Sequence, residues 1–324
     1  MERQTFLILL AGALCGTALA SASATQQRRT QPAHLSLHPE LIAGLKLRDA
    51  RTHSAPPQKH EWVLGKQDVS GAKFGQMIAQ ALKPDADLRP DIKSYGLAIR
   101  DQGYRKTCSV FALTFLLEYN WAAWGEKNKT HLSEEYLNWA TNKTVGNDND
   151  GDFFSNISKG FKNYGVGDLA LAPYLSDFDP AWQPSKTAID GGIYRSGEQK
   201  FWVVFDDGVM GKSRADLDHV CSLLDNKVPV AIGQSWPNGE LGAIAKFSSV
   251  LGLSFLDDYT GPQGGHSMVA VGYKRSSAFP GGGYMIFRNS WGASSGDEGY
   301  WILSFNYVRK YAYDAYAAGW DGIK

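Results

Sequence analysis

The apolar positions divide the chain into segments of different period. Over residues 108–124, Val110, Phe111, Leu113, Thr114, Leu117 and Trp121 recur at helical spacing. A second helix is predicted after Ser133, which stands at the cap position of Leu132-Ser133-Glu134-Glu135, and it runs through Trp139. Residues 146–152 are polar, acidic and bounded by glycines, the signature of a turn-rich loop. A third helix over 153–164 ends at Gly165, and the stretch up to Tyr174 reads mostly as loop. Around Cys221, the residues Leu217, Val220, Cys221 and Leu224 share one face of a further helix. Beyond it the period changes, and residues 228–233, 267–273, 283–290 and 299–305 read as strands. Helices come first and strands second. That order predicts an α+β chain whose two lobes flank one cleft.

The first third is less regular. Residues 6–18 are almost wholly apolar, follow Arg3, and lead into Ala18-Leu19-Ala20 and Ala22-Ser23-Ala24. A short apolar run with a basic start and an Ala-x-Ala exit predicts a secretory signal over 1–24 and not a membrane anchor. Residues 25–87 are polar and proline-containing, with one helical pattern over 74–82 that stops at Pro84. They read as a leader, and 88–324 as the folded domain. The location expected is secreted or periplasmic.

Composition narrows the function by exclusion. The chain has 324 residues, 43% hydrophobic and 20% charged, with 33 basic and 33 acidic side chains. This balance argues against a nucleic-acid partner, which selects for a basic excess. With the signal removed, two cysteines remain, Cys108 and Cys221, so at most one disulfide is possible. Cys221 sits on the apolar helix face and reads as a small core residue. Cys108 is then an unpaired thiol in an oxidising compartment, where such a group is either buried or working.

Cys108 falls at the start of its helix, where the partial positive charge of the N-terminus stabilises a thiolate. Six residues earlier, Gln102 carries a side-chain amide suited to an oxyanion, with the Cys108 N–H as second donor and Gly103 allowing the turn between them. His266 opens a strand in Gly264-Gly265-His266-Ser267 and can take a thiol proton. Asn289, at the end of the next strand, can accept from the imidazole and hold its orientation. Trp291 can keep water from that bond. Each residue alone has an ordinary structural explanation; the set, in this order, describes nucleophilic catalysis by a cysteine.

Asp101-Gln102-Gly103, Thr107-Cys108, Leu132-Ser133-Glu134-Glu135, Gly265-His266-Ser267, Asn289-Ser290-Trp291-Gly292 and Gly296-Asp297-Glu298-Gly299-Tyr300 together resemble the papain family of cysteine peptidases. The similarity extends over residues 88–313 and is weakest in the middle. It implies a papain-like fold, with a helical N-terminal lobe and an antiparallel β-rich C-terminal lobe around an active-site cleft. It implies hydrolysis of peptide bonds through an acyl-enzyme, without a cofactor or metal. Cys108 would be the nucleophile, His266 the base, Asn289 the orienting residue and Gln102 the oxyanion donor. Gly151 and Phe153, with Phe154, would line the substrate side, and Trp291 would cover the histidine. Protein or peptide substrates follow, with a monomer as the working unit and the leader as an inhibitor of its own enzyme.

The departures from the family pattern are specific. Ser109 follows the nucleophile where a tryptophan is common, and Arg105 stands three residues before it in place of a cysteine. The cysteine usual after the Ser-Glu-Glu motif is also replaced, at Ala140. The family's usual disulfides are therefore absent, and packing alone must hold the domain. A cysteine amidase or transpeptidase acting on cell-wall peptides is the alternative that keeps Cys108 and His266 and changes the substrate. A non-catalytic binding protein on the same fold would lack one of the reacting residues, and none is missing. No His-Glu-x-x-His, P-loop or Gly-x-Ser-x-Gly motif occurs.

Overall fold

The structure is a computed structural model and describes residues 83–126, 129–237, 245–250, 253–261 and 263–320. The signal, most of the leader and the helix expected over 74–82 lie outside the described residues.

Helix α1 (Arg89–Ser94) follows a two-residue strand β1 (Ala86–Asp87) that pairs with the long strand β6 (Gln263–Arg275). Residues 85–87 thus lie on the leader side of the expected division yet are built into the sheet, with the Asp85 N–H also donating to Tyr273 O at 2.8 Å. Helix α2 (Cys108–Ala123) matches its predicted span. Thirteen of its sixteen residues are buried, because the helix is apolar on every side and runs through the middle of the molecule. Helix α3 (Glu134–Val145) begins as its cap predicts: Ser133 Oγ accepts from the Tyr136 N–H at 2.9 Å, and Gly146 ends it with φ +75°. Helix α4 (Phe154–Tyr164) ends at Gly165, as read.

Besides β1 and α1, two elements between residues 165 and 210 were not foreseen. Helix α5 (Lys186–Arg195) contains the pair Gly191-Gly192, which propensity counts against a helix. The fold requires the second glycine, since a Cβ on Gly192 would lie 2.3 Å from the Tyr136 hydroxyl. Strand β2 (Lys200–Asp206) follows. Helix α6 (Arg214–Asp225) has a capping box between Ser213 and Asp216, and it buries Leu217, Val220, Cys221 and Leu224 on the predicted face.

The remaining strands are β3 (Val230–Pro237), β4 (Ala245–Val250), β5 (Leu253–Tyr259), β6, β7 (Gly283–Arg288), β8 (Tyr300–Ser304) and β9 (Ala312–Gly319), with helix α7 (Phe305–Tyr311) before the last. They form one sheet in the order β2-β9-β3-β6-β7-β8-β5-β4, with β1 beside β6. All pairings are antiparallel except a parallel contact between β5 and β8. β3 and β7 are buried along their whole length. Helix α2 packs on β3, β6 and β9, which brings the start of the helical half against the central strands. This is the expected α+β arrangement.

Candidate active site

Cys108 is the first residue of α2. Its cap, Thr107, makes no side-chain bond to the helix; its hydroxyl instead shares a 2.6 Å bond with the Tyr174 hydroxyl. Cys108 thus stands in the first turn, at the helix's positive end. Cys108 is partly exposed and forms no disulfide, and neither does Cys221. The two thiols differ in kind. Cys221 is on the buried face of α6, and burial pushes its thiol up to about 12, which keeps it protonated and unreactive.

Phe111 and Ala112 lie one helical turn beyond Cys108, on the same face. They share a small cavity with Phe115 of α2, Ser267 and Met268 of β6, and Asn289. This face of α2 is thus turned toward Ser267 and Met268 of β6.

His266 is 5% exposed and lies opposite Gln234 in the β3–β6 register. Its Nε2 donates to Asn289 Oδ1 at 2.9 Å. That oxygen also accepts from the Ser290 N–H at 2.8 Å, so the carbonyl is held in place by its own chain. With Nε2 committed as donor, Nδ1 is the nitrogen able to take a proton from a thiol. Asn289 reaches this point because it follows β7, the strand paired to β6.

Trp291 stacks on the imidazole, with ring centres 4.4 Å apart and an angle of 21°. Trp236 of β3 meets the same ring edge-on at 5.2 Å and touches Trp291 and Trp301 as well. The sequence reading included Trp291 but not Trp236. Trp236 lies two residues beyond Gln234 on β3, hence on the same face as the residue opposite His266, a register that only the folded sheet reveals.

Gln102 is 2% exposed. Its backbone N–H donates to Ser290 O at 2.9 Å, and Gly292 N–H donates back to Arg100 O at 3.2 Å. The segment before Cys108 is thus paired to the segment after Asn289. The side chain is fixed at both ends: Oε1 accepts from Ser290 Oγ at 2.7 Å, and Nε2 donates to Arg105 O at 2.7 Å. A primary amide has a second N–H on that nitrogen.

On the expected substrate side, Gly151 has φ +86°, and a Cβ there would stand 2.2 Å from Lys106 O. Its loop runs directly against the Lys106–Thr107 backbone that leads into Cys108, and only glycine permits the approach. Phe153 is 75% exposed, whereas Phe154 is buried against Tyr316, with ring centres 5.5 Å apart.

A model of the papain family of cysteine proteases matches residues 83–317. Among solved structures the chain is similar to xylellain, a cysteine protease from Xylella fastidiosa, at 20% identity and a TM-score of 0.54, over 75% of this chain and 88% of that one. It is also similar to the ragweed pollen cysteine protease Amb a 11 in its proform, at 19% identity and a TM-score of 0.51, over 76% of this chain and 62% of that one. A comparison with curated protein sequences gives no match. The two structures share the fold, and the family match spans Cys108, the His266 strand and the Asn289 segment. The chain belongs to the papain family of cysteine proteases.

Proposed function

We propose that this peptidase is a secreted endopeptidase in which Cys108 attacks the peptide carbonyl and His266 serves as its base. The observation that carries the reading is the 2.9 Å bond from His266 Nε2 to Asn289 Oδ1 beneath the stacked Trp291. It leaves Nδ1 to exchange a proton with the thiol. The Cys108 proton passes to His266, and Sγ adds to the carbonyl carbon. The oxyanion is held by the Cys108 N–H and by the second N–H of Gln102. The imidazolium then protonates the leaving nitrogen, the C–N bond breaks, and an acyl-enzyme remains. Water, deprotonated by His266, adds to the thioester carbonyl and expels the thiolate, freeing the carboxylate product. Gly151 and Phe153 border the substrate and Trp291 shields the histidine. The working unit is a monomer acting on protein or peptide substrates.

Secretion rests on the apolar run and Ala-x-Ala exit of residues 1–24. A leader removed on the N-terminal side of β1 fits the family match, which begins at residue 83. Inhibition by that leader rests on the ragweed relative, which was solved as a proform.

The test is labelling of the secreted full chain with an epoxide inhibitor of thiol peptidases, read by intact mass, peptide mapping and N-terminal sequencing. One adduct on Cys108, lost in His266→Ala, is the expected result. An adduct on Cys221, or none after the leader is trimmed, would overturn it. Cleavage of cell-wall peptides with no cleavage of protein would overturn the substrate class.

A further inference from the structure

Arg105 lies between the two residues proposed to carry the chemistry, three positions after Gln102 and three before Cys108, and it is 4% exposed. A buried guanidinium is costly unless its charge and all five N–H groups are matched. Here they are. Nε and Nη2 donate to Asp150 Oδ1 at 3.0 and 2.8 Å. Nη1 donates to Glu135 Oε2, and Nη2 to Glu135 Oε1 at 3.3 Å. The remaining Nη1 proton goes to Leu175 O at 2.9 Å. The guanidinium lies over the Tyr174 ring, 4.5 Å from its centre.

These partners come from three separate segments, and Asp150 and Tyr174 also touch the reacting loop directly. Asp150 accepts from the Lys106 N–H at 3.2 Å and precedes Gly151. Tyr174 donates its hydroxyl to Gln102 O at 3.0 Å and bonds to Thr107. Arg105 O is the acceptor that sets the Gln102 amide, at 2.7 Å.

We infer that Arg105 is a positioning residue: its guanidinium clamps the Gln102–Cys108 loop to the Gly151 loop and so holds the oxyanion donor in register with the nucleophile. The clamp stands where the family commonly has a cysteine. In this chain charge and directed hydrogen bonds make the tie between the loops. The inference rests on the proposed roles of Gln102 and Cys108.

The experiment is a double-mutant cycle on the leader-free enzyme. It compares wild type, Gln102→Ala, Arg105→Lys and the pair, each measured for kcat and KM on a peptide and for the rate of Cys108 alkylation by iodoacetamide. Alkylation needs the thiolate but no oxyanion donor. Lysine keeps the charge and loses the fork. Expected is a fall in kcat of about ten- to a hundredfold for Arg105→Lys in the wild type, the scale of a displaced support. In Gln102→Ala the same change should cost less than about threefold, because the two act as a unit. Alkylation should change little. The same fall in both backgrounds, or no fall, would overturn the clamp. If Arg105→Lys does not fold, Asp150→Asn decides by the same comparison. If Gln102→Ala keeps full kcat, or wild-type Cys108 resists alkylation, the reading of the site fails in variants that retain Arg105, and the clamp falls with it.

Discussion

One carbonyl oxygen organises the histidine. Asn289 Oδ1 receives both the imidazole Nε2 proton and the Ser290 N–H, so the ring's acceptor nitrogen is chosen by a neutral group fixed to its own backbone. Removing it should leave the thiolate and imidazole present but poorly aligned. Asn289→Ala is therefore expected to lower kcat by about ten- to a hundredfold, a misorientation effect, while Cys108→Ala abolishes turnover. Steady-state kinetics of the two variants checks this, and an equal loss would mean the orienting role is understated. The same scale explains why the expected substrate-side residues behave differently. Gly151 is required by the backbone passing at its α-carbon, Phe153 is open to solvent, and Phe154 is spent on the core against Tyr316.

At the scale of elements, α2 bears most of the load. It is buried on nearly every side and carries Cys108 at the end where its dipole favours an anion. Its middle is sealed between the sheet and the other helices, with Leu113 and Leu117 fully buried. Leu113→Ala should cost about 2–5 kcal/mol of stability, the range for a leucine cavity that cannot collapse, as read by denaturant unfolding. A cost below about 1 kcal/mol would show a helix free to shift into the gap. Strands β6 and β7 form the matching element pair. The start of one and the end of the other lie together because the strands are antiparallel neighbours, so His266 and Asn289 meet although 23 residues separate them.

Across the whole molecule, stability should depend on pH through buried carboxyls. Asp314 of β9 is pushed up to about 6 by burial, with Asp206 on the neighbouring strand adding to the effect. A carboxyl raised in the fold binds its proton more tightly folded than unfolded. Its contribution is therefore fully present below about pH 4 and is lost as pH rises through about 6. Asp314→Asn cannot titrate, so the wild type should lose stability relative to it over that window, by about 2–3 kcal/mol. Unfolding midpoints of both proteins between pH 4 and 7 measure the difference directly. Parallel pH curves would mean that Asp314 stays ionised. Glu134, pushed up to about 7 by burial, adds its own slope to both proteins and cancels in the comparison.

What the chain determines alone is local. The start of α2 at Cys108, the cap at Ser133, the glycine stops at Gly146 and Gly165, and the buried face around Cys221 are all written in residues a few positions apart. The motifs around Gln102, Cys108, Ser133, His266, Asn289 and Gly296, in that order, carry the resemblance to the family. Elements whose composition argues against them were invisible. α5 carries a glycine pair, α7 has three aromatic residues and a valine among its seven, a composition that favours strand, and β9 is rich in alanine. Each is held by neighbours distant in sequence, which override propensity. The tertiary structure alone decided which imidazole nitrogen faces Asn289 and that Trp236 closes the ring's edge. It also brought the Gln102 amide to Ser290 across 188 residues and surrounded Arg105 with Asp150, Glu135 and Leu175. Periodicity records which face of an element is buried. A hydrogen bond between elements depends on their packing, and no short window of sequence contains both partners.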